Sequence, residues 1–367
     1  MNKKLIALAV GAAIAAPMSA QAGATLYGHL AADLSSESVD TVGGPTGTDG
    51  HLLQGGGGRF EDGVGVDDNK RGRLGVKGNY DLGGGLKAIY RFEWQVDTTE
   101  ADVGDGTRNA FVGLKGSFGT IKIGSLKTPY KYMGGVKYDP FVTTELEARR
   151  YGGMTTTKFG SNSFFARAVG YERKIGGGKL WIVYVPDEGN ESALGPNNNG
   201  GNNGVNASGD YSLGYMFKGK GYEWFIATAK DADIDNNTTD PLNTNYTFTA
   251  LKVGGKYKSG PHVLKLQYET TTEEGAAGDQ DGTLIFLGYE MKMGKNTFVA
   301  QYSTGTVERS GSPDQDNTYL AVGVVHKFNK KTRLWVGYSD MSVDNMNNVA
   351  GNNNGRSAFS VGMRIDF

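Results

Sequence analysis

The chain of 367 residues contains no cysteine, which excludes a disulfide framework and a thiolate metal site. Its four histidines, His29, His51, His262 and His326, stand apart from one another, so no histidine-based metal motif is present. Proline is scarce (9 residues) and glycine follows no three-residue period, which excludes a collagen-like chain. Charge of one sign is not in excess, with 38 basic residues against 39 acidic, so a nucleic-acid binder is not expected. Past residue 16 no apolar run is long enough to cross a bilayer as a helix. Glycine is abundant (58 residues) and aromatics make up 11%. The mean hydropathy of −0.42 would suit a soluble protein. It suits a membrane β-barrel equally well, because such a barrel alternates polar and apolar residues.

Lys3 and Lys4 are followed by an uncharged, mostly apolar run over 5–16 and then Ser19-Ala20-Gln21-Ala22. This pattern predicts a Sec signal peptide over 1–22, leaving 23–367 as one β domain that is exported. Polar and apolar residues alternate from there to the end. Leu86, Ala88, Tyr90, Phe92 and Trp94 share one face, and Lys87, Ile89, Arg91 and Glu93 share the other. A single strand of this kind fits a soluble sandwich or a lipid-facing wall.

The whole pattern separates these two. About sixteen such segments are counted: 24–35, 69–80, 86–97, 107–116, 119–126, 162–172, 179–186, 209–218, 221–230, 246–258, 262–272, 282–292, 295–305, 317–328, 332–342 and 355–367. Short connections such as Asp81-Leu82-Gly83-Gly84-Gly85, Gly219-Lys220 and Met293-Gly294 alternate with long ones at 36–68, 127–161, 187–208, 231–245 and 343–354. Short turns at one end and long polar loops at the other are what an outer-membrane barrel requires. In lipid no sheet edge is left unpaired, and an even strand number lets the first strand close on the last. In the last segment Ala358, Ser360, Gly362, Arg364 and Asp366 share one face, and Phe359, Val361, Met363, Ile365 and Phe367 the other. The expected fold is therefore an all-β transmembrane antiparallel barrel of about sixteen strands.

Several stretches resemble the sixteen-stranded trimeric general porins of Gram-negative outer membranes. Asp81-Leu82-Gly83-Gly84-Gly85-Leu86-Lys87-Ala88 is similar to their first short turn and following strand. Arg108-Asn109-Ala110-Phe111-Val112-Gly113-Leu114 and Phe118-Gly119-Thr120-Ile121-Lys122-Ile123-Gly124 resemble the next hairpin, and Phe367 resembles their terminal aromatic. The resemblance implies a homotrimer in outer-membrane lipid, inserted by the barrel-assembly machinery through Phe367, that passes small hydrophilic solutes and ions. It implies a third loop folded into the barrel as a constriction, here 127–161, with Asp139, Glu145 and Glu147 on the acidic side. Arg73 matches the family's wall arginine. Alternation independently places Arg71, Arg73, Lys77 and Arg91 in the lumen, because Leu74 and Val76 should face lipid. One departure stands out: Gly124-Ser125 replaces the expected Gly-Arg pair, another wall arginine is replaced by Lys158 or lost, and Arg149 and Arg150 lie in the loop. The sign of the field in the pore is therefore open at this point.

Other signals are weaker. Asp231, Asp233 and Asp235 open like a calcium loop, but Asn236 and Leu242 stand where the turn glycine and bidentate glutamate belong. A solvated acidic loop is the simpler reading. No cofactor is expected, and no nucleophile-elbow motif is present. The rival functions are a substrate-selective channel and an outer-membrane barrel hydrolase; a soluble periplasmic β-protein is the plainest alternative.

Overall fold

A computed structural model describes residues 23–42, 63–67, 72–101, 108–148, 164–186, 209–231, 246–275, 279–345 and 349–367. The expected signal peptide lies outside these residues. The described chain forms one antiparallel sheet that closes on itself. Its strands are β1 (Thr25–Val42), β2 (Gly63–Asp67), β3 (Gly72–Gly83), β4 (Leu86–Val96), β5 (Ala110–Gly116), β6 (Gly119–Lys127), β7 (Phe164–Ile175), β8 (Gly178–Tyr184) and β9 (Tyr211–Lys218). They continue with β10 (Tyr222–Asp231), β11 (Tyr246–Ser259), β12 (His262–Gly275), β13 (Gln280–Met293), β14 (Asn296–Arg309), β15 (Gln315–Lys327), β16 (Thr332–Asp344) and β17 (Asn353–Asp366).

Both β2 and β3 pair with β1, through Glu37↔Gly63 to Asp33↔Asp67 and His29↔Arg73 to Thr25↔Lys77. They are two parts of one strand, so the seventeen segments fill sixteen barrel positions. The barrel closes where β1 meets β17, from His29↔Asp366 to Val42↔Asn353. Phe367 completes the seam: its amide donates to the Gly28 carbonyl (3.1 Å), and the Gly28 amide donates back (3.3 Å). Closure leaves no open sheet edge, which a lipid environment demands. No helix among the described residues is long and apolar enough to cross a membrane; a barrel crosses with its strands.

Alternation sorts the side chains. On β12, Leu264, Leu266 and Tyr268 are exposed on the outer face, while Lys265, Gln267 and Glu269 are buried on the inner one. Outward aromatics gather near the short turns: Tyr215, Phe217, Tyr222 and Trp224 lie ring to ring at 5.6–6.0 Å. The Tyr215 hydroxyl donates to the Ile175 carbonyl (2.9 Å), so a ring with an apolar body and a polar tip sits where a bilayer has its interface.

The strand reading differs at the loop end. The stretch 36–68 reads as a polar loop, yet β1 runs on to Val42 and Gly63–Asp67 adds a further strand segment. Strand–strand pairing stabilises these residues where their own apolar pattern is weak.

Candidate functional site

After β6 the chain turns inward. Thr128 caps a single helical turn, α1 (Pro129–Tyr132), its hydroxyl accepting from the Lys131 amide (3.4 Å), and a short 3-10 turn follows at Gly135–Lys137. The segment 128–148 then lies against the inner wall from β9 round to β1. The Tyr130 amide donates to Ser212 of β9 (3.1 Å), and the Gly135 amide to Gln267 of β12 (2.8 Å). Lys265 of β12 donates to the Tyr138 carbonyl (2.6 Å), Gln301 of β14 to Asp139 (3.0 Å) and Tyr319 of β15 to the Leu146 carbonyl (2.6 Å).

Apolar contacts seat the same segment. Tyr138, Phe141 and Leu146 are fully buried. Gly323 of β15 and Gly337 of β16 stand directly opposite each other. A Cβ on Gly323 would lie 3.0 Å from the Phe141 ring, and one on Gly337 2.6 Å from Leu146. The glycine pair is therefore a socket in the barrel wall that only hydrogen side chains leave open.

At its far end the segment meets a buried ion cluster. Arg356 of β17 lies 2.9 Å from a Glu37 oxygen and 3.0 Å from a Glu145 oxygen, with all three side chains no more than 1% exposed. Asp33 joins them, accepting from the Glu145 amide (3.1 Å), the Trp335 indole (2.5 Å) and Ser360 (2.8 Å). Glu147 is buried as well and accepts from the Thr143 amide (2.5 Å), an internal brace of the loop. Glu145 and Glu147 thus anchor the loop to the wall and brace it, and neither lines the cavity described next. Asp139 does line it. Burial pushes the Asp139 carboxyl above the usual carboxylate range, against hydrogen bonds from Gln301 and the Phe141 and Ala148 amides.

Between this loop and the uncovered wall lies a cavity of about 310 Å³. From one side it is lined by Arg73 (β3), Arg108 and Lys127 (β6); from the loop by Lys131 and Lys137; and from the far side by Arg333 (β16) and Arg364 (β17). Among the described residues Asp139 is the one acidic residue in that lining. Arg333 and Arg364 face each other directly across strands, and Asp366 offsets the like charges by accepting from Arg364 (2.5 and 3.0 Å). The Nε groups of Arg73 and Arg108 have no acceptor among the described residues.

Arg73 shares its wall with Arg91 and Lys77, as alternation expects. Glu93, one turn of the pleat from Arg91, holds the group together: it lies 3.9 Å from Arg73, 3.8 Å from Arg91 and 3.3 Å from Lys127, and accepts from the Tyr27 hydroxyl (2.7 Å). Arg108 stacks 5.3 Å over the Phe164 ring, close to where the missing Gly-Arg arginine would stand, and Ser125 donates to its carbonyl (2.8 Å). Arg71, Arg149, Arg150, Lys158, Asp233 and Asp235 lie outside the described residues, as does the side chain of Asp231.

Sequence reasoning did not single out Glu93, Arg108, Lys127, Lys131, Lys137, Arg333 or Arg364 as pore residues. For Glu93 and Arg364 the signal was at hand, because both fall on the faces that alternation assigns to the lumen. Arg333 needed the strand register, which puts it opposite Arg364.

A family model described as Gram-negative porin matches residues 7–362. The major outer membrane protein P.IB of Neisseria meningitidis serogroup A is 25% identical over 345 residues, covering 92% of each chain. The anion-selective porin from Comamonas acidovorans shares the fold with a TM-score of 0.70 at 18% identity, over 95% of this chain and 100% of that one. OmpT of Vibrio cholerae, in its trimer form, gives 0.65 at 17% identity, over 95% and 100%. The closed antiparallel barrel of sixteen strand positions agrees with these matches, and the chain belongs to the Gram-negative porins of the outer membrane.

Proposed function

We propose that this porin is a homotrimeric, non-enzymatic channel through which small hydrophilic solutes diffuse passively, that segment 128–148 narrows it, and that it prefers anions. The supporting observation is the cavity beside that segment, whose described lining carries seven cationic side chains and one carboxylate that burial biases toward its neutral form; Glu93 and Asp366, paired with Arg73, Lys127 and Arg364, stand outside that lining. A ring of Arg and Lys in a narrow, low-dielectric passage concentrates anions and repels cations. The acidic row that the resemblance implies is not what the reading rests on, since Glu145 and Glu147 are held in the wall cluster and the loop brace. Width and field are enough for such transport, and no bond-making step is assigned. Phe367 in the closing seam is read as the assembly signal for the barrel-assembly machinery, and trimer formation follows the OmpT likeness.

Planar-bilayer recording tests the reading. Stepwise conductance in groups of three, with chloride passing in preference to potassium, supports it. Folded, inserted protein without conductance rejects it.

A further inference from the structure

The helical turn α1 puts two tyrosines to different uses. In a helix, residues two apart lie roughly 200° from each other round the axis. Tyr130 is fully buried, and its amide donates to Ser212 of β9 (3.1 Å). Met133 is buried too, and a Cβ on Gly214 of β9 would lie 2.5 Å from its sulfur. The turn is thus bolted to the wall through Tyr130 and Met133. Tyr132 is left half-buried, in the lining of the loop cavity. Its ring lies 6.4 Å from that of Trp181 on β8, centre to centre.

Three ammonium groups converge on the Tyr132 ring. Lys127, Lys137 and Lys131 lie 5.3, 5.5 and 5.9 Å from its centre, and among the described residues these are the lysines of the cavity lining. Lys131 is held a second time, 5.0 Å from the centre of the Phe164 ring. Lys127 also reaches Glu93 (3.3 Å), whereas Lys137 is exposed and makes no ion pair among the described residues. Three like charges this close repel one another. A carboxylate at their centre would hold them but would cancel one charge. An aromatic face attracts cations through its quadrupole and carries no net charge. It gathers the lysines and leaves their full charge to act on a passing anion.

We propose that Tyr132 is a positioning residue of the anion path: its ring holds Lys127, Lys131 and Lys137 together beside the lumen and so sets how strongly the channel prefers anions. The inference rests on the channel reading above and adds to it a side chain that is itself uncharged.

The test is the zero-current potential of the full-length channel across a potassium chloride gradient, in the wild type, Tyr132→Phe, Tyr132→Leu, Lys137→Gln and the double variant of the last two. Tyr132→Phe keeps the ring and should keep most of the chloride-over-potassium ratio. Tyr132→Leu keeps an apolar side chain without the quadrupole; it should lower the ratio by about threefold and add open-channel current noise as the lysines move apart. Lys137→Gln alone should lower the ratio by about threefold, the effect of one screened charge near the path. In the Tyr132→Leu background it should lower it by clearly less, because the charge it removes no longer stands in place. Additive effects of the two substitutions, or equal ratios in Tyr132→Phe and Tyr132→Leu, overturn the proposal. Tyr132→Met takes the place of Tyr132→Leu in the same cycle if the latter assembles poorly. An anion-preferring wild type with additive variants rejects the role of Tyr132 alone; a wild type that prefers potassium, or folded protein that does not conduct, rejects the channel reading with it.

Discussion

Arg356→Met is the sharpest perturbation of the loop seat. Arg356 is the cation between Glu37 (2.9 Å) and Glu145 (3.0 Å), and none of the three is more than 1% exposed. Methionine matches the length of the stem and removes the charge. Two buried carboxylates then face each other, with Asp33 close by. Removing one partner of a buried ion pair costs about 3–5 kcal/mol. The neighbouring polar anchors of this arm, Gln301 to Asp139 and Tyr319 to the Leu146 carbonyl, supply about 1 kcal/mol each. The cluster therefore outweighs them, and its loss raises the unseated fraction of the arm by about a hundredfold to a few thousandfold. Hydrogen exchange of the Thr143, Glu145, Leu146 and Ala148 amides, each bonded to a side chain of the seat, reads this directly. Exchange should accelerate there while the strands keep their protection, and single-channel traces should gain conductance substates. Adding Glu145→Gln removes one of the two stranded charges and should restore part of the protection, so the double variant is better seated than Arg356→Met alone. Wild-type exchange at these amides together with a quiet, wild-type trace would refute the reasoning.

Other expectations follow from the same geometry. Arg73→Ala and Arg333→Gln each remove one cation from the cavity and should lower the chloride-over-potassium permeability ratio by about threefold to tenfold, the effect of one screened charge near the ion path; an unchanged zero-current potential counts against their placement. Glu93→Gln removes the acid that gathers Arg73, Arg91 and Lys127, so anion preference should rise while heat resistance of the folded barrel falls, measured by the gel shift on heating. Asp139 has a raised pKa, so its charge is lost as pH falls through a range above the ordinary value of about 4; anion preference should therefore increase on acidification over that range, and Asp139→Asn should remove that part of the pH dependence. At the closing seam a Cβ on Gly28 would lie 2.3 Å from the Arg73 carbonyl oxygen, so Gly28→Ala should reduce the yield of folded barrel, and deletion of Phe367 should reduce membrane assembly more than it lowers the melting temperature of barrel already inserted.

The barrel was largely legible in the alternation, because a strand's two faces meet different solvents and residue type reports which. The faces of β17 and the lumen positions of Arg73 and Arg91 follow from that alone. What alternation does not give is depth and partner. Glu145 looks like a loop acid free to line a pore, and its partner Arg356 lies 211 residues further along the chain. The even balance of charge hides a segregation in which cations collect on one stretch of inner wall. Glycine was legible as composition and as turns; that Gly323 and Gly337 form a socket for Phe141 and Leu146 depends on a register between two strands and on a loop that arrives from the other side of the barrel. The extension of β1 to Val42 was hidden because its polar residues are paired by β17, and pairing leaves no mark in the pattern of one segment.

The measurement that bears most directly on the account is the zero-current potential of the reconstituted channel across a potassium chloride gradient. A cationic passage lets chloride run ahead of potassium, so the dilute compartment becomes negative. A dilute compartment that becomes positive would mean that acids govern the pore, and would contradict the account at its centre.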